Sequence, residues 1–413
     1  MKHMTDLQQK VEQEVTWLSS IGLDSKGGTT RLLYDDNWVK AQHDLKQKFT
    51  TLGLSSHFDQ VGNLYGRLEG SKYPNETILT GSHVDTVVNG GALDGQFGIV
   101  AGYLAINYLK ETYGTPLRTL EVVSMAEEEG SRFPFAFWGS KNIFGLVNPN
   151  DLKYAKDADG IQFSEAMEQA GFSFPTESQQ AREDIKAFVE IHIEQGNVLE
   201  KKEKQVAVVN NIVGQKRYDI TLIGQSNHAG TTPMGYRQDT VYAMSKMISD
   251  SMDRAKELGD PLVLTVGHIA VTPNTVNVVP GKTFFTVDCR HTDGQVLEDF
   301  TNDMMSRFKA IATECDVQIE IDNWMNEAPV PMSEEIVSVL EQACQESNLN
   351  YLTMHSGAGH DSQIFAQHVP TAMLFVPSIN GVSHNPAEAT KIEDLTEGVK
   401  ALIASLYKLA YED

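Results

Sequence analysis

Thr77-Ile78-Leu79-Thr80-Gly81-Ser82-His83-Val84-Asp85-Thr86 passes from a short apolar run straight into an imidazole and a carboxylate. A short apolar run that stops at a glycine reads as a buried strand. A second such run follows at Leu120–Met125, and Gly98–Lys110 between them has helical spacing. Strand, helix and strand in succession predict an α/β domain on a mostly parallel sheet. In such sheets ligands collect beyond the carboxyl ends of the strands.

Outward from this nucleus, Leu7, Val11, Val15 and Leu18 fall on one face of a helix over Asp6–Ser20, and Asn37–Leu52 predicts another. From about Ile212 the rhythm changes. Tyr218–Ile223, Leu262–Ala270, Lys282–Cys289 and Val317–Ile321 read as strands, and Thr240–Leu258 and Val296–Thr313 as helices. The order β-α-β-β-α-β describes a ferredoxin-like unit. The α/β pattern returns with a helix at Ser333–Ser347, strands near Tyr351–Met354 and Ala372–Phe375, and a helix from Asp394. The expected organisation is a discontinuous catalytic domain, residues 1–211 and 327–413, interrupted by a smaller domain at 212–326.

The 413 residues exceed one ordinary core, and 41% hydrophobic content suffices for two. A net charge of −23 disfavours nucleic acid and anionic membranes as partners. No apolar run reaches the ~20 residues of a membrane span, and the polar Met1–Gln13 stretch lacks a signal-peptide core. Cys289, Cys315 and Cys344 are odd in number and widely spaced, so neither a disulfide framework nor a zinc ribbon is expected. The expected compartment is the cytoplasm. GxxxxGK[ST], GxSxG and HExxH are all missing, which leaves phosphate-loop, serine-hydrolase and zincin chemistry without a basis.

The remaining chemistry lies in four further places. Asp94 sits in Gly90-Gly91-Ala92-Leu93-Asp94-Gly95, where glycines permit a sharp approach and a carboxylate can bridge two ions. Asp85 is placed to accept the second ring N–H of His83 and so fix its tautomer. Glu127-Glu128-Glu129 follows the Leu120–Met125 strand, and three adjacent carboxylates repel unless cations neutralise them. Adjacent glutamates allow one to bind metal and the other to move a proton. His192 in Ile191-His192-Ile193-Glu194-Gln195 and His384 in Gly381-Val382-Ser383-His384-Asn385 complete the set. Each residue alone has a structural reading: a core histidine, a solvated acidic face, a turn aspartate, a loop cap. Together, three histidines and two acids at strand ends and glycine turns suit zinc, manganese, cobalt or nickel.

The series His83-x-Asp85, Asp94, Glu128-Glu129, His192 and His384 resembles the M20 metallopeptidase superfamily. GSHVDTVVNGG, LDGQFG, EEEGSRF, HIEQG, SNHAGTTPM, NTVNVVPG and SGAGHD resemble its amidase/hydantoinase/carbamoylase branch, over nearly the whole chain. The resemblance implies two divalent ions per subunit, manganese first. One is held by His83, Asp94 and His192; the other by Asp94, Glu129 and His384. Glu128 would be the general base, and His228 would stabilise the oxyanion. Arg290 would clamp a substrate carboxylate, with Asn277 assisting, although Asp288 or Asp293 offers Arg290 another partner. Gln195, Gln215, Gly359 and His360 are further candidates for substrate contact. The implied reaction is cleavage of a C–N bond in a small anionic ureido compound. Allantoate, hydrolysed to ureidoglycine, ammonia and carbon dioxide in purine-nitrogen salvage, is the first expectation. An N-carbamoyl-L-amino acid is the alternative. A peptidase or deacylase and an inactive metal-dependent binding protein are the rival classes; an intact Glu128 argues against the last. The inserted domain is expected to act as lid and to pair with its twin in a homodimer.

Overall fold

The computed structural model describes residues 2–413; Met1, where the first expected domain begins, lies outside them. The chain forms two compact units, one running to Asn210 and resuming at Pro331, the other spanning Asn211–Val330.

The first unit is built on a mixed sheet. Its strand order runs Ser55–Phe58, Leu64–Leu68, Arg118–Met125, Tyr73–His83, Ile185–Ile193, Thr371–Val376, Val206–Ile212. The four strands from Arg118–Met125 to Thr371–Val376 run parallel, and the flanking pairs are antiparallel. The last seven residues of Tyr73–His83 and of Ile185–Ile193 are buried without alternation, as expected of strands covered on both faces. Helix Gln96–Tyr113 is buried over most of its surface and packs against both the sheet and the C-terminal helix Ile392–Tyr411. The hairpin Ser55–Phe58 and Leu64–Leu68 has no counterpart in the sequence reading, because its strands carry little apolar pattern and are held by cross-chain pairing.

The second unit carries a five-stranded antiparallel sheet in the order Ile269–Thr272, Lys282–His291, Gly214–Ile223, Gln318–Glu327, with Val263–Thr265 also on Lys282–His291. Gly214–Ile223 alternates strictly between buried and half-buried, so one face packs under the two helices. Both helices start at aspartate caps. Asp239 accepts from the Val241 and Tyr242 N–H groups, and Asp293 from those of Gln295 and Val296. Ile220, Leu222, Phe285, Val287, Met304 and Phe308 form the centre of a core of its own. The single strand expected at Leu262–Ala270 is two strands. Thr265 pairs with Asp288 and Ile269 with Phe285, so four steps on one side face three on the other. The extra residue is a bulge in the Val266-Gly267-His268 stretch. Among the described residues no helix is long and apolar enough to cross a membrane.

Candidate metal centre

The parallel strands of the first unit bring three of the donor segments to one sheet edge. His83 is the last residue of its strand and pairs in register with Met125, two residues before Glu127. His192 is the penultimate residue of the neighbouring strand, and its ring stacks 5.9 Å from that of His83. Asp94 lies directly before the N-terminus of the buried helix Gln96–Tyr113. His384 comes from the loop between the strand Thr371–Val376 and the last helix, in a left-handed backbone conformation with φ of 53°.

These side chains converge. Ligating atoms of His83, Asp94 and His192 lie within 4.8 Å of one another, and so do those of Asp94, Glu129 and His384. Asp94 belongs to both sets, one oxygen to each. Its Oδ1 is 3.0 Å from His192 Nε2 and 3.7 Å from His83 Nε2, and its Oδ2 is 3.0 Å from His384 Nε2. His384 Nε2 is also 3.2 Å from Glu129 Oε1. The opposite ring nitrogens have backbone or carboxylate partners. His192 Nδ1 donates to the Ile193 carbonyl at 2.9 Å, and His83 Nδ1 faces the Asp85 carbonyl and carboxylate at 3.1 and 3.2 Å. Those bonds turn each Nε2 inward, where that of His192 also accepts from the Gly95 N–H at 3.1 Å, and they fix the tautomer a metal ligand needs. The donor sets are two imidazoles with a carboxylate, and one imidazole with two carboxylates, which fit divalent transition metals.

Asp85 also aligns the acidic run. Its Oδ1 accepts from the Glu128 N–H at 3.0 Å and its Oδ2 from the Glu129 N–H at 3.1 Å. One carboxylate thus fixes a histidine and the two glutamates beside it. Burial raises the Glu128 carboxyl well above its ordinary range; the His83 charge opposes this, and Glu129, Asp361 and Asp85 add to it. Interaction with Asp94 and Glu129 raises His384 to about 10, so a proton balances the carboxylates where a cation would. Gly95 is required where it is: at φ 65°, a Cβ there would lie 2.4–2.5 Å from three atoms of the His83 ring.

Gln195 donates to Asp94 Oδ2 at 3.0 Å, while its buried Oε1 has no hydrogen-bond partner among the described residues. His360 packs edge-on to His192 at 4.6 Å and bonds to Ser356, and its burial keeps it neutral, with a pKa well below 6.5. Gly359 lies next to it, against Gln363 and Phe137. The other expected residues belong to the second unit. His228 and Asn277 are exposed and adjoin each other, tied by the Ala229 N–H to the Asn277 carbonyl at 3.0 Å. His228 Nδ1 accepts from the Gly230 N–H, which leaves Nε2 as the donor. Gln215 and Arg290 are cross-strand partners. Arg290 is paired with Asp288, at 2.8 Å from Nε and 3.1 Å from a terminal nitrogen, and Asp288 also accepts from Arg217 and Gln215. The Asp288 partner of Arg290 is therefore present, inside a half-buried network.

Sequence reasoning passed over Arg31 and Glu388, and gave no separate role to Glu127 or Ser383 in the segments it quoted. Arg31 is fully buried and donates to the carbonyls of Val84, Leu18 and Ile21 and to Gln96 Oε1. Glu127 is 1% exposed, and neither of its carboxyl oxygens has a hydrogen-bond partner among the described residues. Ser383 and Glu388 hydrogen-bond to the Asp94 segment. The acidic run and the Ser-His-Asn-Pro turn were visible signals for Glu127 and Ser383; no spacing rule singles out Arg31 or Glu388.

Comparison with known proteins identifies the family. An allantoate amidohydrolase of Escherichia coli is 59% identical over 409 residues, covering 99% of this chain and all of that protein. An allantoate amidohydrolase of Bacillus subtilis is 44% identical, again over 99% of this chain and all of that protein. The crystal structure of an amidase of the hydantoinase/carbamoylase family from Burkholderia multivorans superposes with a TM-score of 0.94 at 30% identity, covering 98% of each chain. The profile of peptidase family M20/M25/M40 matches residues 79–408, which contain every residue of the two donor sets, and the chain belongs to that family.

Proposed function

We propose that the chain is a metal-dependent amidohydrolase that cleaves a ureido C–N bond of allantoate, giving ureidoglycine, ammonia and carbon dioxide in purine-nitrogen salvage. The observation that carries the chemistry is Asp94, shared by two donor sets, with the half-buried Glu128 on the adjoining segment. The substrate follows from the two full-length relatives named for allantoate. N-carbamoyl-L-amino acids are the second reading, favoured by the fold match to a hydantoinase/carbamoylase family amidase.

In the mechanism, His83, Asp94 and His192 would hold one divalent ion, and Asp94, Glu129 and His384 the other, with manganese first and zinc, cobalt or nickel as substitutes. Ions held there supply the Lewis acidity that makes a water nucleophilic at neutral pH. Glu128 takes the proton of the attacking water and returns it to the departing nitrogen, a shuttle its raised affinity for protons favours. Asp85 keeps Glu128 in place through its backbone N–H and holds the His83 tautomer. Gln195 Oε1, with no hydrogen-bond partner among the described residues, suits a ureido N–H. His228 serves as the oxyanion donor, Arg290 and Asn277 receive the substrate carboxylate, and Gln215, Gly359 and His360 complete the contacts. The second unit is read as the ferredoxin-like lid and dimerisation domain of a cytoplasmic homodimer. This rests on the family resemblance, and the three free, buried cysteines suit such a compartment.

The test is ammonia release by metal-stripped protein reloaded with manganese, offered allantoate and an N-carbamoyl-L-amino acid in parallel. Turnover of allantoate alone is expected. Turnover of the carbamoyl compound alone would replace the substrate and keep the Glu128 chemistry.

A further inference from the structure

Glu388 lies four residues beyond His384 and belongs to neither donor set. Its buried carboxyl joins two segments that are 294 residues apart in the chain. Oε1 accepts from the N–H of Leu93 at 2.9 Å and from that of Asp94 at 3.1 Å. Oε2 accepts from Ser383 Oγ at 2.8 Å, and the same hydroxyl lies 3.1 Å from Asp94 Oδ2. A hydroxyl has one proton to give, so Ser383 couples the two carboxyl groups. Space is reserved for this arrangement. A Cβ on Gly91 would lie 2.0 Å from Glu388 Cδ, and Gly91 is not among the glycines with a positive φ. Glycine is needed there for room, not for backbone freedom.

We propose that Glu388 is a positioning residue that locks the Asp94 loop to the Ser383-His384 loop, setting the shared carboxylate and His384 in register for metal binding. The proposal rests on the reading of the cluster as a metal centre. Its physical basis is that Asp94 must present one oxygen to each donor set, so a small rotation of its loop spoils both. The backbone bonds to Leu93 and Asp94 fix that rotation, and the Ser383 bond ties it to the loop carrying His384. Partners that orient ligands in this way are typically worth about 10–100-fold in metal affinity.

Manganese titration by calorimetry of the metal-stripped full chain tests this, with thermal unfolding of each apoprotein alongside. The proteins are wild type, Glu388→Ala, Glu388→Gln and Ser383→Ala. Wild type is expected to take two ions; if it takes none, the metal reading of the site fails and takes this proposal with it. With two ions in wild type, Glu388→Ala is expected to lose about 10–100-fold in affinity. Glu388→Gln, whose carbonyl still accepts both N–H groups, should keep most of it. Wild-type affinity in Glu388→Ala overturns the tether, and so does equal loss in both Glu388 variants. A purely structural role would lower the apoprotein Tm and leave affinity unchanged. If Glu388→Ala does not fold, Ser383→Ala decides: weaker binding at an unchanged apoprotein Tm supports the proposal, and unchanged binding overturns it.

Discussion

Glu128 is where charge, geometry and proposed chemistry coincide. Its backbone N–H is pinned by Asp85, and its half-buried carboxyl is shifted well upward by desolvation, with the charges of Glu129, Asp361 and Asp85 adding to the shift. Replacing it with glutamine keeps the shape and removes the proton carrier. Glu128→Gln should bind manganese normally and lose on the order of 10²–10⁴-fold in kcat; turnover within a factor of a few of wild type would sink the mechanism. The histidines supply a pH prediction. Asp94 and Glu129 raise His384 to about 10, and His83 and His192 are also shifted upward in the metal-free protein. Below about pH 10, His384 therefore carries a proton that a metal must displace. Manganese binding should release protons and tighten as pH rises from 6 towards 9. Calorimetry in buffers of different ionisation enthalpy reads that release; identical heats in all buffers would contradict it. The ligand candidates were legible because each sits in a distinctive glycine or acidic context. Glu388 was not, since the groups it bonds at Leu93 and Asp94 are remote in sequence.

At the scale of elements, three of the four parallel strands stand out in the sequence through the short apolar runs Thr77–Thr80, Leu120–Met125 and Ala372–Phe375, whereas Ile185–Ile193 does not, because Lys186, Glu190 and His192 interrupt it. The order of the strands does not stand out either, because Tyr73–His83 and Ile185–Ile193 become neighbours only through tertiary pairing. The bulge at Val266-Gly267-His268 was equally hidden, since it depends on register against Lys282–His291. Arg31 shows what such long-range ties contribute. Its guanidinium reaches the end of the first helix at Leu18 and Ile21, the Val84 carbonyl between His83 and Asp85, and Gln96 at the head of the buried helix. Burial lowers its pKa to about 10, with Asp85 and Asp35 acting in the opposite sense. Arg31→Met would fill the volume and leave several buried acceptors without donors. The expected loss is about 3–5 kcal/mol, read from urea unfolding of the apoprotein. A change below about 1 kcal/mol would mean that water replaces the guanidinium.

For the molecule as a whole, the apolar content suffices for two cores, and the structure has two compact units. The second unit differs from the first in its strands, which alternate between buried and half-buried where the central strands of the first are buried without alternation. Each unit buries a core of its own, and that of the second centres on Ile220, Phe285 and Phe308. All five proposed metal ligands, by contrast, belong to the first unit. Ligand binding stabilises the body that contains the site and leaves an independently folded neighbour alone. Calorimetric unfolding of the full chain should therefore show two transitions, only one of them sensitive to manganese. At a free metal concentration of 100 Kd, one bound ion adds about 2.7 kcal/mol to the first unit, which for a body of that size corresponds to roughly 4–5 °C in Tm. Chelation should reverse that shift and leave the other transition in place. Two transitions rising together, or a single one, would show that the inserted unit does not fold independently of the metal-bearing one.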